Sequence, residues 1–265
     1  MMDSGTKEPA ATARPLHGQW AVVTGASKGI GRGIAERFVA AGADVVLVAR
    51  SVGPLEAARD DLQSGARDGQ IVQCLPADTS STASVQELFA SLADTVPHLN
   101  VFVANAGSGV VTPFLDLPLD EWNNALALNL TGTFLGCQLA ARAMARSPQE
   151  NMAILVVSSI RAVGVRPGRL AYAVTKAGLN QLVRVAAYEL APLGIRVNAL
   201  SPGITATPLA LEGNPEIFAE MVEEVPMGRA GTPSDMAEGA LYLCSPTANF
   251  VTGANLVVDG GESLY

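Results

Sequence analysis

The sequence predicts an α/β fold: a doubly wound, seven-stranded parallel sheet flanked by helices, in a single domain over residues 18–265. Three observations carry this reading. Seven short runs rich in Val, Leu and Ile recur along the chain, without the polar alternation of half-exposed strands; parallel strands covered on both faces look like this. The segments between most of them are long enough for the crossover helices that parallel strands require. No low-complexity linker or internal repeat interrupts the pattern after Gly18.

The elements follow in order. A first strand at 21–24 runs into a glycine-rich turn and a helix at 31–41, which Gly42 stops. Strands follow at 44–49, 71–76 and 101–104. An Ala/Leu-rich helix is expected over roughly 121–146, a fifth strand at 154–158, and a second Ala/Leu-rich helix at 172–190. The sixth strand, 196–201, is separated from the seventh, 255–258, by a Pro/Gly-punctuated insertion starting at Pro208. Such insertions often close over a site, so a lid is expected over about 208–226, with an amphipathic helix at 215–224. Its apolar face either covers a hydrophobic ligand or packs as any surface helix does.

Composition excludes several classes. The chain has 265 residues, 17 basic and 25 acidic, for a formal net charge of −8. Scattered acidic charge is ill suited to tracking a phosphate backbone, so neither nucleic acid nor anionic membrane is an expected partner. No run approaches the roughly 18 apolar residues of a membrane helix. Cys74, Cys137 and Cys244 are widely spaced, and only His17 and His98 add imidazole, so no metal site is expected. They read as reduced thiols of a cytoplasmic protein. Residues 1–17 are polar and rich in Pro, Ala and Thr, lack a secretory leader's apolar stretch, and are expected to be a disordered tail. Charged residues make up only 16% of the chain, against about 25% in ordinary soluble domains.

The turn after the first strand reads Thr24-Gly25-Ala26-Ser27-Lys28-Gly29-Ile30-Gly31. Glycines at a strand-to-helix turn allow a tight bend and let a pyrophosphate approach a helix N-terminus. The second strand leads into Arg50-Ser51, and no Asp or Glu lies between Val45 and Pro54. An acidic residue there would hold the ribose hydroxyls of NAD. Arg50 and Lys28 instead suit the extra phosphate of NADP through charge-assisted hydrogen bonds; the alternative is two solvated surface cations. NADP(H) is therefore the expected cofactor, ahead of NAD(H).

After the fifth strand comes Ser159, then Tyr172, and four residues later Lys176. Positions i and i+4 share a helix face, which sets phenol and ammonium side by side. A phenol of reference pKa about 10 is a poor acid/base at neutral pH, and a nearby cation is expected to lower it. The Ser159 hydroxyl could bond the same substrate oxygen.

These residues give the chain a resemblance to the short-chain dehydrogenases/reductases, single-domain Rossmann-type proteins of about this length. The resemblance rests on T-G-A-S-K-G-I-G at 24–31, Asp78, Asn105-Ala106-Gly107, Asn129, Ser159, Tyr172 with Lys176, Pro202-Gly203, and V-V-D-G-G at 257–261. It implies a hydride exchange between nicotinamide and a ketone or secondary alcohol. Tyr172 would be the general acid, Lys176 its partner and a ribose contact, Ser159 the carbonyl-orienting hydroxyl, and Asn129 the residue positioning a water of the proton relay. It implies cofactor contacts from Gly25, Ser27, Lys28, Gly29, Ile30, Gly31, Arg50 and Ser51. It adds Asp78 (at the adenine), Thr79, Asn105, Ala106, Gly107, Pro202, Gly203, Thr205 and Thr207 (at the carboxamide). Ala104 and Thr205 depart from the residues common in the family at those positions.

The resemblance makes a 3-oxoacyl thioester the first substrate expected, as in 3-oxoacyl-ACP reductases, with a sugar, polyol or other secondary alcohol as the alternative. A non-catalytic NADP(H)-binding sensor or scaffold should lack part of the catalytic set, and here the set is complete. Arg161, Arg166 and Arg169 lie between Ser159 and Tyr172; they meet an acidic substrate or carrier, or are merely solvated or ion-paired. The family implies a homotetramer or homodimer, built through the helices over 121–146 and 172–190. That assembly would account for the shortage of charge.

Overall fold

The computed structural model describes residues 14–67, 69–109, 111–212 and 215–264. Its sheet has seven parallel strands: β1 (Trp20–Thr24), β2 (Asp44–Ala49), β3 (Val72–Pro76), β4 (Val101–Ala104), β5 (Met152–Val157), β6 (Ile195–Pro202) and β7 (Asn255–Val258), in the order β3-β2-β1-β4-β5-β6-β7. The order reverses between β1 and β4, which opens a crevice at their C-terminal ends.

The strands read as continuous apolar runs because each face buries alternate residues. Val23, Val45, Leu47, Leu155 and Leu200 join one core cluster with Ile34, Phe38, Leu55 and Met236. Val22, Val46, Phe102, Ile154 and Val197 join the other with Leu88, Cys137, Met144, Leu179 and Val183. The first cluster is covered by α1 (Gly29–Ala40), α2 (Val52–Ser64) and α9 (Pro233–Cys244). The second is covered by α3 (Thr82–Thr95), α5 (Gly132–Arg146) and α6 (Leu170–Leu190).

Four findings revise the sequence reading. β5 starts at Met152 and ends at Val157, leaving Ser158 in the loop. The helix expected over 121–146 is broken into α4 (Leu119–Ala125), a π-helical turn (Leu126–Thr131) and α5. The cause is local: a Cβ on Gly132 would stand 1.9 Å from the Thr79 carbonyl oxygen, so the rod presses against the loop after β3. Within the insertion, α7 (Pro208–Leu211) and α8 (Pro215–Glu223) are separate short helices. Residues 14–17, expected at the end of a disordered tail, are placed. Leu16 is fully buried in the first core cluster and its N–H donates to the Ala41 carbonyl at 3.1 Å. Residues 1–13 lie outside the described residues.

At the N-terminal edge of the sheet the polar groups are committed to structure. Asn100 Oδ1 accepts from the Trp20 N–H, Asn151 Nδ2 donates to the Cys244 carbonyl, and Arg196 donates to the Leu243 carbonyl at 2.6 Å. Cys137 and Cys244 are buried free thiols whose pKa burial pushes up to about 12; Cys74 is half-buried. The chemistry-bearing side chains gather at the opposite edge.

Candidate active site

A cleft of about 640 Å³ runs along the C-terminal ends of the strands. Its first wall is the turn after β1. Gly25 and Gly29 adopt φ of +65° and +60°, the left-handed region that glycine tolerates without strain. Gly31 is needed for a different reason. A Cβ there would lie 2.4 Å from both Asn105 Nδ2 and the Gly25 carbonyl oxygen. Asn105 is the brace: its Nδ2 donates to the Thr24 carbonyl at 2.9 Å, and its N–H donates to Thr24 Oγ1. The turn and the end of β4 are thus one rigid piece.

Gly25, Ser27, Lys28, Gly29, Ile30, Arg50, Ser51, Thr79, Asn105, Ala106 and Gly107 line this half of the cleft. Lys28 and Arg50 are exposed at the β1–β2 end, and Lys28 Nζ lies 4.0 Å from Glu212 Oε1. Gly31 and Asp78 do not line the cleft. Asp78 Oδ1 accepts from the Ser80 N–H and Oγ at 2.9 and 2.7 Å, and these bonds hold its carboxyl below the usual range. Its carboxylate shapes the loop after β3 while its neighbour Thr79 faces the cavity.

The other half is built from the loops after β4, β5 and β6. Ser159, Tyr172, Lys176, Pro202, Gly203, Thr205 and Thr207 all line it. Lys176 is buried, donates to the Val157 carbonyl at 2.7 Å, and its Nζ stands 5.5 Å from the centroid of the Tyr172 ring. Burial pushes its pKa down to about 8. Ser158 Oγ donates to the Lys176 carbonyl, tying α6 to the end of β5.

The sequence reading expected the lysine to lower the phenol. In this structure burial is the largest influence on Tyr172 and raises its pKa. The opposing pulls come from the Ser159 hydroxyl first, then Arg169 and Arg161. The reason is that Lys176 is itself desolvated and turned to a backbone carbonyl.

Asn129 sits behind the cleft, fully buried on the π-helical turn. Its Oδ1 accepts from the Ser108 N–H at 3.0 Å and its Nδ2 donates to the Ser108 carbonyl at 2.8 Å. The amide is therefore spent on clamping the loop after β4.

The arginines resolve into two kinds. Arg161 pairs with Glu262, whose side chain is only 3% exposed and whose Oε2 accepts from the Ile204 N–H at 2.7 Å. Arg166 pairs with Glu224 at 3.3 Å. Arg169 has no acidic partner among the described residues. Sequence reasoning missed Glu262, Ile204, Ser108 and Gly109 as parts or props of the site, whereas Met221, which also lines it, lies on the helix expected at 215–224. Only Glu262 left a trace: an isolated acid just after D-G-G, in a chain whose substrate loop carries arginines alone.

Known proteins are similar to this chain over most of its length. Residues 25–263 match the family described as enoyl-(acyl carrier protein) reductase. The 3beta-hydroxysteroid dehydrogenase 1 of Eggerthella lenta is 37% identical over 252 residues, covering 94% of this chain and 95% of its own. The 3-oxoacyl-[acyl-carrier-protein] reductase FabG of Aquifex aeolicus is 33% identical, covering 93% and 98%. The crystal structure of a short-chain type dehydrogenase/reductase from Mycobacterium marinum superposes with a TM-score of 0.88 at 32% identity, covering 94% and 97%. Likeness in sequence and in fold thus extends through both halves of the cleft, and with it the chain belongs to the short-chain dehydrogenase/reductase family of NAD(P)-dependent oxidoreductases.

Proposed function

We propose that the protein uses NADP(H) to interconvert a ketone and a secondary alcohol, with Tyr172 as general acid and base. The observation that supports this most is the meeting of Ser159, Tyr172 and Lys176 in the same cleft as the glycine turn. That cleft fits a dinucleotide: α1 points its N-terminus into it, and left-handed glycines keep side chains out of the approach. When bound, the nicotinamide supplies or takes the hydride. The remaining work falls to the chain. Ser159 Oγ orients the carbonyl oxygen, and the Tyr172 hydroxyl gives that oxygen its proton. Lys176, anchored on Val157, keeps a positive charge beside the ring. A phenol kept protonated by burial is suited to reduction at neutral pH; the reverse reaction needs phenolate and gains at alkaline pH.

The choice of NADP(H) rests on Lys28 and Arg50 at the β1–β2 end, with no acid between Val45 and Pro54. A 3-oxoacyl thioester is the first substrate to test, with sugars and other secondary alcohols behind it. Assembly into a homotetramer or homodimer is part of the proposal, supported by exposed Phe134 on α5 and Val185 and Tyr188 on α6. A cytoplasmic setting is supported by the free thiols. The deciding experiment is a carbonyl panel with NADPH and NADH, run on the wild type and on Tyr172→Phe. The variant is expected to lose reduction by at least about a hundredfold while NADPH still quenches protein fluorescence. Undiminished turnover would sink the mechanism.

A further inference from the structure

Positive charge beside the reacting centre is unevenly compensated. The loop between Ser159 and Tyr172 carries Arg161, Arg166 and Arg169. Glu262 neutralises the first and Glu224 the second. Arg169 is half-buried, lines the cleft and has no carboxylate or hydrogen-bonding partner for its side chain among the described residues. A partly desolvated guanidinium without a counter-charge is costly. Burial acts most strongly against its charged form; the neighbouring Tyr172 phenol favours that form, and the charges of Arg166 and Arg161 oppose it. A chain with 25 acidic residues against 17 basic ones did not lack carboxylates to place there.

The position is as telling as the charge. A Cβ on Gly109 would stand 2.9 Å from Tyr172 Cδ2 and 3.4 Å from Arg169 Nη1, so phenol and guanidinium flank the same gap. That gap is remote from the cations assigned to the cofactor. Lys28 and Arg50 follow β1 and β2. Arg169 lies between β5 and α6, on the far side of β4 from both β1 and β2.

We propose that Arg169 is a specificity-determining residue that holds an anionic group of the substrate, a carboxylate or a phosphate, so that the preferred ketones are acidic. The inference rests on the hydride exchange at Tyr172 proposed above and adds the class of molecule that undergoes it. The planar fork of a guanidinium suits both anions, in two parallel hydrogen bonds. Such an anchor fixes the ketone at one end while Ser159 and Tyr172 take its oxygen.

The test uses matched probes: acetoacetate against methyl acetoacetate, and dihydroxyacetone phosphate against dihydroxyacetone. With the whole protein and NADPH, kcat/KM for at least one anion is expected to exceed that of its neutral partner by tenfold or more. Arg169→Met should cut the anion's kcat/KM by about 10- to 100-fold, the worth of a hydrogen bond to a charged group, and lower that of the neutral ketone far less. Arg169→Lys should restore part of the preference. Among the described residues no hydrogen bond depends on this side chain, so folding is expected to survive, and the NADPH dissociation constant checks it. The two anions separate a carboxylate site from a phosphate site. A second readout is calorimetric titration of both anions into protein saturated with NADP⁺, where binding should vanish in Arg169→Met. Failure of both anions to bind, or binding that the variant leaves intact, overturns the proposal. So does a variant that slows charged and neutral ketones equally, since Arg169 would then act through Tyr172 alone. Anions that bind through Arg169 without being reduced would uphold this inference and sink the proposed reaction.

Discussion

At the scale of single residues, the cations around the cleft differ in what holds them. Arg50 is exposed at the cleft, and no Asp or Glu lies between Val45 and Pro54. Arg50→Asp is therefore expected to remove about 2 kcal/mol of phosphate binding and swing the kcat/KM ratio from NADPH towards NADH by roughly thirtyfold; an unchanged ratio would place the phosphate elsewhere. Lys176 gives a pH signature. Burial lowers its pKa from 10.5 to about 8. Between those values the unfolded chain keeps a proton that the folded chain has lost, so stability rises with pH through that window. Below it the desolvation penalty is felt in full. Without cofactor, the Tm difference between wild type and Lys176→Met should move in the wild type's favour as pH rises from about 7.5 to 10. A flat difference would mean the ammonium is not desolvated. The pairing of Arg161 with Glu262 was not legible, because 101 residues separate them and no periodicity links such positions.

At the scale of elements, strand positions were legible almost to the residue because burial on both faces leaves unbroken apolar runs. β2, β4 and β7 coincide with the expected ranges. The π-helical turn was not legible. Its cause is contact with the Thr79 carbonyl and with Ser108, both outside the helix. A turn of this kind admits one extra residue and aims Asn129 back at the loop after β4. Asn129→Ala removes two part-buried hydrogen bonds to Ser108. It is expected to lower stability by about 1–3 kcal/mol, measured by chemical denaturation, and to lower kcat as the loop loosens. An unaltered denaturation midpoint would show that the amide does not hold Ser108.

At the scale of the whole molecule, the shortage of charged residues has two sources that sequence alone could not separate. Much of the apolar content fills the two core layers. Part of the rest is exposed, including Phe134, Val185 and Tyr188 on α5 and α6, and Val257 on β7. Apolar surface of this kind is what a symmetric interface covers. Sedimentation of the wild type should show a particle of two or four 27.3 kDa chains. Val185→Glu with Tyr188→Glu should shift it to smaller assemblies, and a wild type that sediments as a monomer would contradict the reading. The tie made by Glu262 has a further meaning when viewed as an event in folding. It joins Arg161 across 101 residues and Ile204 across 58, which makes it among the most non-local contacts in the cleft. Contacts of that span must wait until the intervening chain is ordered. The glycine turn is braced in the same way, by Asn105 on Thr24 across 81 residues. Both halves of the cleft therefore rest on contacts of long span, and neither is complete until distant parts of the chain have met.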